Sequence, residues 1–415
     1  MSNTQPPLDL ANITSVVTQT VDELTPRDLF HFHAPRQTLV GEGAILKIGE
    51  LLQRLAVRHV LLVVDKTVYQ QGLLLGAERS LARANIKTTV FAGIEREPGT
   101  SIVDQGVALL ARSEADFVLG VGGGSALDAA KVIAMLGSCH CSLAELADPR
   151  FSAGFNGRRS IGLGAVPTTA GTGSEVTDIS VILQPDRQKK VVVKQADLMP
   201  DLAIVDPGLM LYLPASVTAA TGIDALTHAI EAFTALAANP LSKALAIAAI
   251  QKLSQALPKA VGNGQDKAAR LDMAIASYQA GMAFSNSGLG LVHAISHQVG
   301  ARYALAHGVA NGILLPFVMD FNGLVCRNEY ADIAQVFGVV RESMTARQRC
   351  DAGVMAVRQL LADIGLPGNL AEAGARPEHF AEMAAAALQD ICLASNPRHV
   401  TEDDIVQILQ QASGT

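Results

Sequence analysis

The residues that could do chemistry fall in a few short stretches. The first is Thr221-Gly222-Ile223-Asp224-Ala225-Leu226-Thr227-His228-Ala229-Ile230-Glu231-Ala232-Phe233. Thr221 reads as a helix N-cap with alanine-rich turns behind it. Asp224 and His228 are four apart and share a helix face, where a carboxylate and an imidazole can grip one divalent ion. An Asp–His pair at this spacing is also met as a plain hydrogen bond, so the pair alone decides nothing. The second stretch is Gly290-Leu291-Val292-His293-Ala294-Ile295-Ser296-His297, followed by Ala306-His307-Gly308. Four of the ten histidines, His228, His293, His297 and His307, thus sit in apolar helical surroundings. A buried imidazole needs a polar partner, and a metal ion would satisfy several at once. His307 lies fourteen residues past His293, or about 21 Å along a straight helix. If both bind one ion, the helix must stop between them, with Gly300 as the natural break.

Two further stretches suit a phosphate or a nucleotide. In Gly120-Val121-Gly122-Gly123-Gly124-Ser125-Ala126-Leu127-Asp128-Ala129-Ala130-Lys131 an apolar strand runs into three glycines and then a helix. Glycine lets the backbone approach a ligand, and a helix N-terminus offers free N–H groups and partial positive charge. The spacing is not G-x-G-x-x-G, so a generic Rossmann assignment would be forced. A tight strand-to-helix turn is the plain alternative. In Pro167-Thr168-Thr169-Ala170-Gly171-Thr172-Gly173-Ser174-Glu175-Val176-Thr177, small hydroxyl residues and glycines follow another strand. Such a loop can bind phosphate, ribose or a nicotinamide amide, or be a hydroxyl-rich surface turn. Asp65 ends the run Leu61-Leu62-Val63-Val64. There a carboxylate can accept ribose hydroxyls and would repel a 2′-phosphate, favouring NAD over NADP; a helix N-cap is the alternative.

The elements that must position these residues come in two kinds. Between His31 and about Asp206 apolar runs alternate with helical patterns. Strands are expected at Val60–Val64, Thr88–Phe91, Phe117–Val121, Ser160–Val166 and Leu202–Val205, and helices at Ala44–Leu55, Ser101–Arg112 and Ala126–Leu136. That rhythm predicts a parallel sheet covered by helices, with ligands at the carboxyl ends of the strands. After Pro214 strand signals stop and alanine-rich helical patterns run to the C-terminus. The expected architecture is an extension at 1–30, an α/β dinucleotide-binding domain at 31–213 and an all-α metal-binding domain at 214–415, with the reaction in the cleft between them. The extension is polar with a faint amphipathic pattern from Leu8 to Leu24. It reads as a loosely docked tail or as a short docking helix for a partner or a compartment shell.

Composition narrows the class. The 415 residues are 49% hydrophobic and carry a formal charge of −7. No apolar run approaches the eighteen or so residues that span a bilayer. No basic block marks a nucleic-acid partner, and Met1 to Pro7 lacks a basic signal-peptide start. A soluble intracellular protein is expected. Cys139-His140-Cys141 looks like half of a zinc site without its other half, so the five cysteines read as reduced thiols.

The segments Gly122–Lys131, Pro167–Glu175, Thr221–Phe233 and Gly288–Gly308 together resemble the iron-dependent (group III) alcohol dehydrogenases, whose fold is shared with dehydroquinate synthase and glycerol dehydrogenase. The resemblance runs from about residue 31 to 411. It is closest to the ethanolamine-utilisation branch, through Met199-Pro200-Asp201, Leu257 to Gly262, Asp390-Ile391-Cys392 and Ser395 to Arg398. It implies metal ligands at Asp224, His228, His293 and His307, with iron in the cell and zinc as a substitute, and it places a catalytic histidine at His297. It implies NAD(H) contacts at Asp65, Gly122, Gly123, Gly124, Ser125, Asp128, Thr168, Thr169 and Lys190, and a substrate pocket at Phe284 and Cys392. Ile179 stands where lactaldehyde reductase-like members have an asparagine near substrate, which favours a small apolar aldehyde over a diol-type one. The expected activity is interconversion of a small primary alcohol and its aldehyde. A lactaldehyde, 1,2-propanediol or other polyol dehydrogenase of the same fold is the alternative, and a non-catalytic scaffold subunit is the reading from another class. The resemblance also implies a cytoplasmic homodimer, with association to a bacterial microcompartment as a variant.

Overall fold

The computed structural model describes residues 29–94, 98–139, 141–148, 158–184 and 189–414. The chain divides into two compact units, Met1–Phe32 and His33–Thr415. Of the first, residues 29–32 are described, and they carry no helix or strand. The docking helix expected before residue 29, and His140 of the Cys-His-Cys segment, lie outside the described residues.

The second unit begins with the sheet. Its strands are β1 (Gln37–Val40), β2 (His59–Asp65), β3 (Lys87–Ile94), β4 (Phe117–Gly122), β5 (Gly162–Pro167) and β8 (Leu202–Val205), in spatial order β1-β8-β5-β4-β2-β3. Every described pairing in this sheet is parallel. A separate antiparallel hairpin joins β6 (Ile179–Gln184) and β7 (Lys189–Lys194). The helices here are α1 (Ile48–Arg54), α2 (Lys66–Gln70), α3 (Leu75–Arg83), α4 (Thr100–Ser113), α5 (Gly124–Leu136) and α6 (Leu143–Leu146).

The central strands are apolar at consecutive positions because both sheet faces are covered. Val60, Leu62 and Val64 pack with Ile48, Leu52 and Leu81 on one side. Leu61 and Val63 pack with Val132, Ile133 and Met135 on the other. The hairpin and β1 were not expected from sequence.

From Ala215 to Ser413 every regular element among the described residues is helical. These are α7 (Ala215–Thr234), α8 (Pro240–Gly262), α9 (Lys267–Ser285), α10 (Leu291–Tyr303), α11 (His307–Asn322), α12 (Arg327–Val336), α13 (Ala346–Asp363), α14 (Phe380–Ala387) and α15 (Glu402–Ser413), with short 3-10 turns between some of them. One continuous apolar core joins α7 to Ile250, Met273, Ile295, Leu314, Val357 and Leu409. Among the described residues no helix is long and apolar enough to cross a membrane.

Two local expectations are corrected. Thr221 is not an N-cap: α7 begins at Ala215 after Pro214, and Thr221 Oγ1 donates within the helix to Val217 O, at 2.9 Å. The chain does turn between His293 and His307, but not at Gly300, which stays helical. The break is at Ala304, in the left-handed region with φ 51°.

A candidate metal centre beside two nucleotide-suited loops

Helix α7 presents Asp224, His228 and Glu231 at positions i, i+4 and i+7, on one face. Helix α10 adds His293, and α11 opens with His307. Gly308 allows this approach, since a Cβ there would overlap the Ala220 carbonyl of α7. One ligand atom from each of Asp224, His228, His293 and His307 lies within 4.8 Å of the others. Asp224 Oδ1 is 3.8, 3.9 and 3.5 Å from Nε2 of His228, His293 and His307. Ligands about 2.1 Å from a tetrahedral ion sit about 3.4 Å apart, so these separations are near what one ion needs.

Hydrogen bonds orient the imidazoles. His293 Nδ1 lies 2.5 Å from Glu231 Oε2, and Glu231 Oε1 accepts from Val292 N at 2.7 Å. His228 Nδ1 lies 3.3 Å from the carbonyl oxygen of Gly171. A carbonyl oxygen only accepts, so His228 carries its proton on Nδ1 and turns an Nε2 lone pair to the centre. Burial pushes the Glu231 carboxyl up to about 8; a cation on His293 Nε2 would favour its ionised form, and that carboxylate then directs His293 in the same way. Burial first, then the imidazoles of His228, His307 and His297, pushes His293 well below the usual histidine range; it is a neutral donor. Asn311, one turn after His307, donates from Nδ2 to Asp224 Oδ1 at 2.7 Å, and its Oδ1 is buried without a hydrogen-bond partner. A buried cluster of one carboxylate oxygen and three imidazole nitrogens fits a divalent cation. Asp224, His228 and His293 are buried, whereas the His307 side chain is 38% exposed and marks the open side.

The glycine and threonine loops meet beside this centre. Gly122 and Pro167 end the adjacent strands β4 and β5 in register, and Thr168 N donates to Gly122 O at 2.9 Å. Gly122 has φ 152°, and a Cβ there would lie 2.7 Å from Ala126 Cβ and 3.0 Å from Asp65 Cβ. Gly123 caps α5 without a side-chain hydrogen bond; with Gly124 and Ser125 it forms a helix start open to an anion. Thr168 is buried and Thr169 half-buried. A Cβ on Gly171 would lie 2.7 Å from Thr221 Cβ, so this loop rests directly on α7.

Two expected nucleotide contacts have other partners. Both carboxylate oxygens of Asp128 are engaged inside the chain, by Ser174 Oγ at 2.6 Å and Val181 N at 2.9 Å. Three residues on, Lys131 is fully buried and donates to Thr177 Oγ1 and Ile179 O, each at 2.8 Å. These two residues fasten the threonine loop and the hairpin to α5. Asp65 caps α2 through Thr67 N and Val68 N, at 2.8 and 3.2 Å, and both bonds fall on Oδ1. Lys190 is in β7, paired with Leu183; its side chain is outside the described residues.

His297 is brought to the same place. Its ring stacks on His307 at 5.4 Å and meets His293 edge-on at 6.0 Å. Nδ1 lies 2.8 Å from Asp390 Oδ2. Phe284 stacks on His228 at 4.5 Å. Cys392 donates its backbone N–H to Asp390 Oδ1 at 2.9 Å. Cys139 and Cys141 are free, half-buried thiols.

Sequence profiles match over most of the chain. That of "Iron-containing alcohol dehydrogenase" covers residues 35–207, and that of "Fe-containing alcohol dehydrogenase family, C-terminal" covers residues 218–413. The chain belongs to the iron-containing alcohol dehydrogenase family. Within that family it is 43% identical over 406 residues to "Probable alcohol dehydrogenase EutG" of Salmonella typhimurium, covering 97% of this chain and 99% of that one. It is 36% identical to "NAD-dependent methanol dehydrogenase" of Bacillus methanolicus, covering 92% and 99%. The crystal structure of a 1,3-propanediol oxidoreductase superposes with a TM-score of 0.89 at 37% identity, covering 92% of this chain and all of that one. The resemblance and the fold expected from sequence are both borne out. An iron-containing alcohol dehydrogenase implies iron and a nicotinamide cofactor.

Glu231, Asn311 and Asp390 join the site without having been expected there from sequence. Glu231 is signalled by its place on the Asp224–His228 face, and Asn311 by its place four residues after His307.

Proposed function

We propose that this protein interconverts a small primary alcohol, such as ethanol, and its aldehyde with NAD(H), using one divalent iron that zinc can replace. The observation that carries the reading is the convergence of Asp224 Oδ1 with Nε2 of His228, His293 and His307 in a buried cluster open at His307. Those four residues would hold the ion, and Gly122 to Ser125 with Thr168 and Thr169 would hold the dinucleotide. When bound, the ion supplies a Lewis acid for the substrate oxygen, and the nicotinamide gives or takes the hydride.

The chain's own contribution is placement and proton movement. Glu231 and the Gly171 carbonyl keep the metal-facing nitrogens of His293 and His228 free of protons. The threonine loop supplies that carbonyl, so a shift of the nucleotide loop and a shift of His228 go together. His297 carries the hydroxyl proton to and from solvent; its side chain is 25% exposed. Phe284 covers His228 with an apolar surface, and Cys392 beside His297 adds no charge, which supports a small apolar substrate. The Asp65 carboxylate supports NAD over NADP. A short diol or its aldehyde is the second reading, favoured by the likeness to 1,3-propanediol oxidoreductase. The same proposal takes the enzyme as a homodimer joined through edge strand β1, which pairs on one side with β8.

The test is NADH oxidation with acetaldehyde and propanal by the iron- and zinc-loaded protein. His228→Ala is expected to abolish turnover while leaving dinucleotide binding nearly intact. Full activity after exhaustive chelation would overturn the proposal.

A further inference from the structure

Asp390 precedes a 3-10 turn at Ile391–Ser395 and is far in sequence from every residue so far given a metal or nucleotide role. Its carboxylate is a hub. Oδ1 accepts from Cys392 N at 2.9 Å, which fixes the carboxylate on its own turn. Oδ2 faces His297 Nδ1 at 2.8 Å. The Asp390 side chain is 12% exposed, half the 25% of His297. The carboxylate is therefore the more buried member of the pair.

The thiol of Cys392 completes a group of three donors within 4.8 Å. A second metal site is one way to read such a group. The 2.8 Å separation speaks against it, because two ligands of one tetrahedral ion sit about 3.4 Å apart. It is the length of a charge-assisted hydrogen bond. An ionised carboxylate only accepts, so the shared proton belongs to His297 Nδ1, and the neutral ring then carries its lone pair on Nε2.

We propose that Asp390 is a positioning residue that holds His297 in the Nδ1–H form and thereby makes Nε2 the proton-accepting atom in alcohol oxidation. This rests on the function proposed above. In the oxidation direction the substrate O–H proton passes to His297 Nε2, and the C–H hydride leaves to the oxidised dinucleotide. The imidazolium so formed is stabilised by the carboxylate at Nδ1 and returns its proton to water. Aldehyde reduction runs the same steps backwards. Without the carboxylate the ring can protonate on either nitrogen and rotate, and part of the enzyme then presents an N–H where an acceptor is required. A positioned acid–base group is typically worth about 10²- to 10⁴-fold, which bounds what losing its positioning can cost.

The experiment is a double-mutant cycle on the zinc-loaded enzyme with Asp390→Asn, His297→Asn and both together, and Asp390→Ala as a second variant at the same place. Readouts are kcat, KM for the alcohol, the Kd for NAD, bound zinc per chain, and the nitrogen-15 NMR shifts of the histidine rings. Asp390→Asn is expected to lower kcat about 10- to 100-fold, part of what a positioned proton-transfer group supplies, with the NAD Kd and zinc content unchanged. It should cost nothing more once His297 is gone. The NMR spectrum should show His297 as Nδ1–H in the unaltered enzyme and lose that signature in Asp390→Asn. Multiplying effects in the cycle, or loss of a second zinc ion on substitution, would overturn the assignment. Should the unaltered enzyme oxidise no alcohol with either dinucleotide, the proposed function fails, and the ring signature alone decides whether Asp390 sets the His297 proton.

Discussion

Glu231→Gln is the sharpest perturbation of the metal centre that leaves every ligand in place. Glu231 is 6% exposed and holds two donors, His293 Nδ1 at 2.5 Å and Val292 N at 2.7 Å, one on each carboxylate oxygen. Glutamine keeps the shape but has one acceptor for these two donors. If its oxygen stays on Val292, its NH₂ group faces Nδ1, and His293 must move its proton to Nε2, the atom that should bind metal. If the amide flips, Val292 N–H is buried without a partner, at a cost of about 1–3 kcal/mol. Loss of such a supporting partner lowers metal affinity by about 10- to 100-fold, or about 1.4–2.7 kcal/mol at 1.36 kcal/mol per factor of ten. Competition between the apo-protein and a chromophoric chelator for zinc measures this directly. The expected result is a Kd raised by that factor with the urea midpoint lowered as well. A zinc Kd equal to that of the unaltered protein would show that Glu231 does not orient His293, and the assignment of His293 Nε2 as a ligand atom would fall with it.

Other outcomes follow from the same geometry. Gly122→Ala puts a Cβ 2.7 Å from Ala126 Cβ at φ 152°; strain of about 1–3 kcal/mol is expected to weaken NAD binding, read by fluorescence titration, while zinc content is unchanged. Asp65→Asn keeps the α2 cap and removes the charge, so kcat/KM for NADP is expected to rise relative to NAD. Burial pushes Glu175 up from 4.5 to about 7. Between those values the folded chain holds a proton that the unfolded chain has released, so this group's contribution to stability is full below about 4.5 and is lost as pH rises through about 7. Glu175→Gln should therefore flatten the fall in urea midpoint between acidic and mildly alkaline buffer; an unchanged slope would contradict this.

How much could be read beforehand depended on whether a feature was local. Val60–Val64, Phe117–Val121 and Leu202–Val205 announce themselves because a strand buried on both faces is apolar without interruption. Strand β1 is four residues long with two of them exposed, and β6 and β7 are bordered by charged and polar residues, so neither gave a run to see. The Asp224–His228 pair is legible because helix spacing is fixed by geometry. Bringing His307 to it depends on Ala304 adopting a left-handed conformation that its residue type does not favour. Asp128 shows the other limit. A carboxylate near the start of a helix looks free in sequence, and only coordinates reveal that Ser174 and Val181 occupy both its oxygens. The Asp65 cap is one of the two readings its sequence allows, and Thr67 and Val68 take only Oδ1.

The central claim is that one cation joins Asp224, His228, His293 and His307. Anomalous diffraction at the zinc or iron edge, from crystals grown with that metal and NAD, tests it most directly. The account predicts one peak within bonding distance of an Asp224 carboxylate oxygen and of Nε2 of all three histidines. No peak there, or a peak held instead by His297, Asp390 and Cys392, would contradict it.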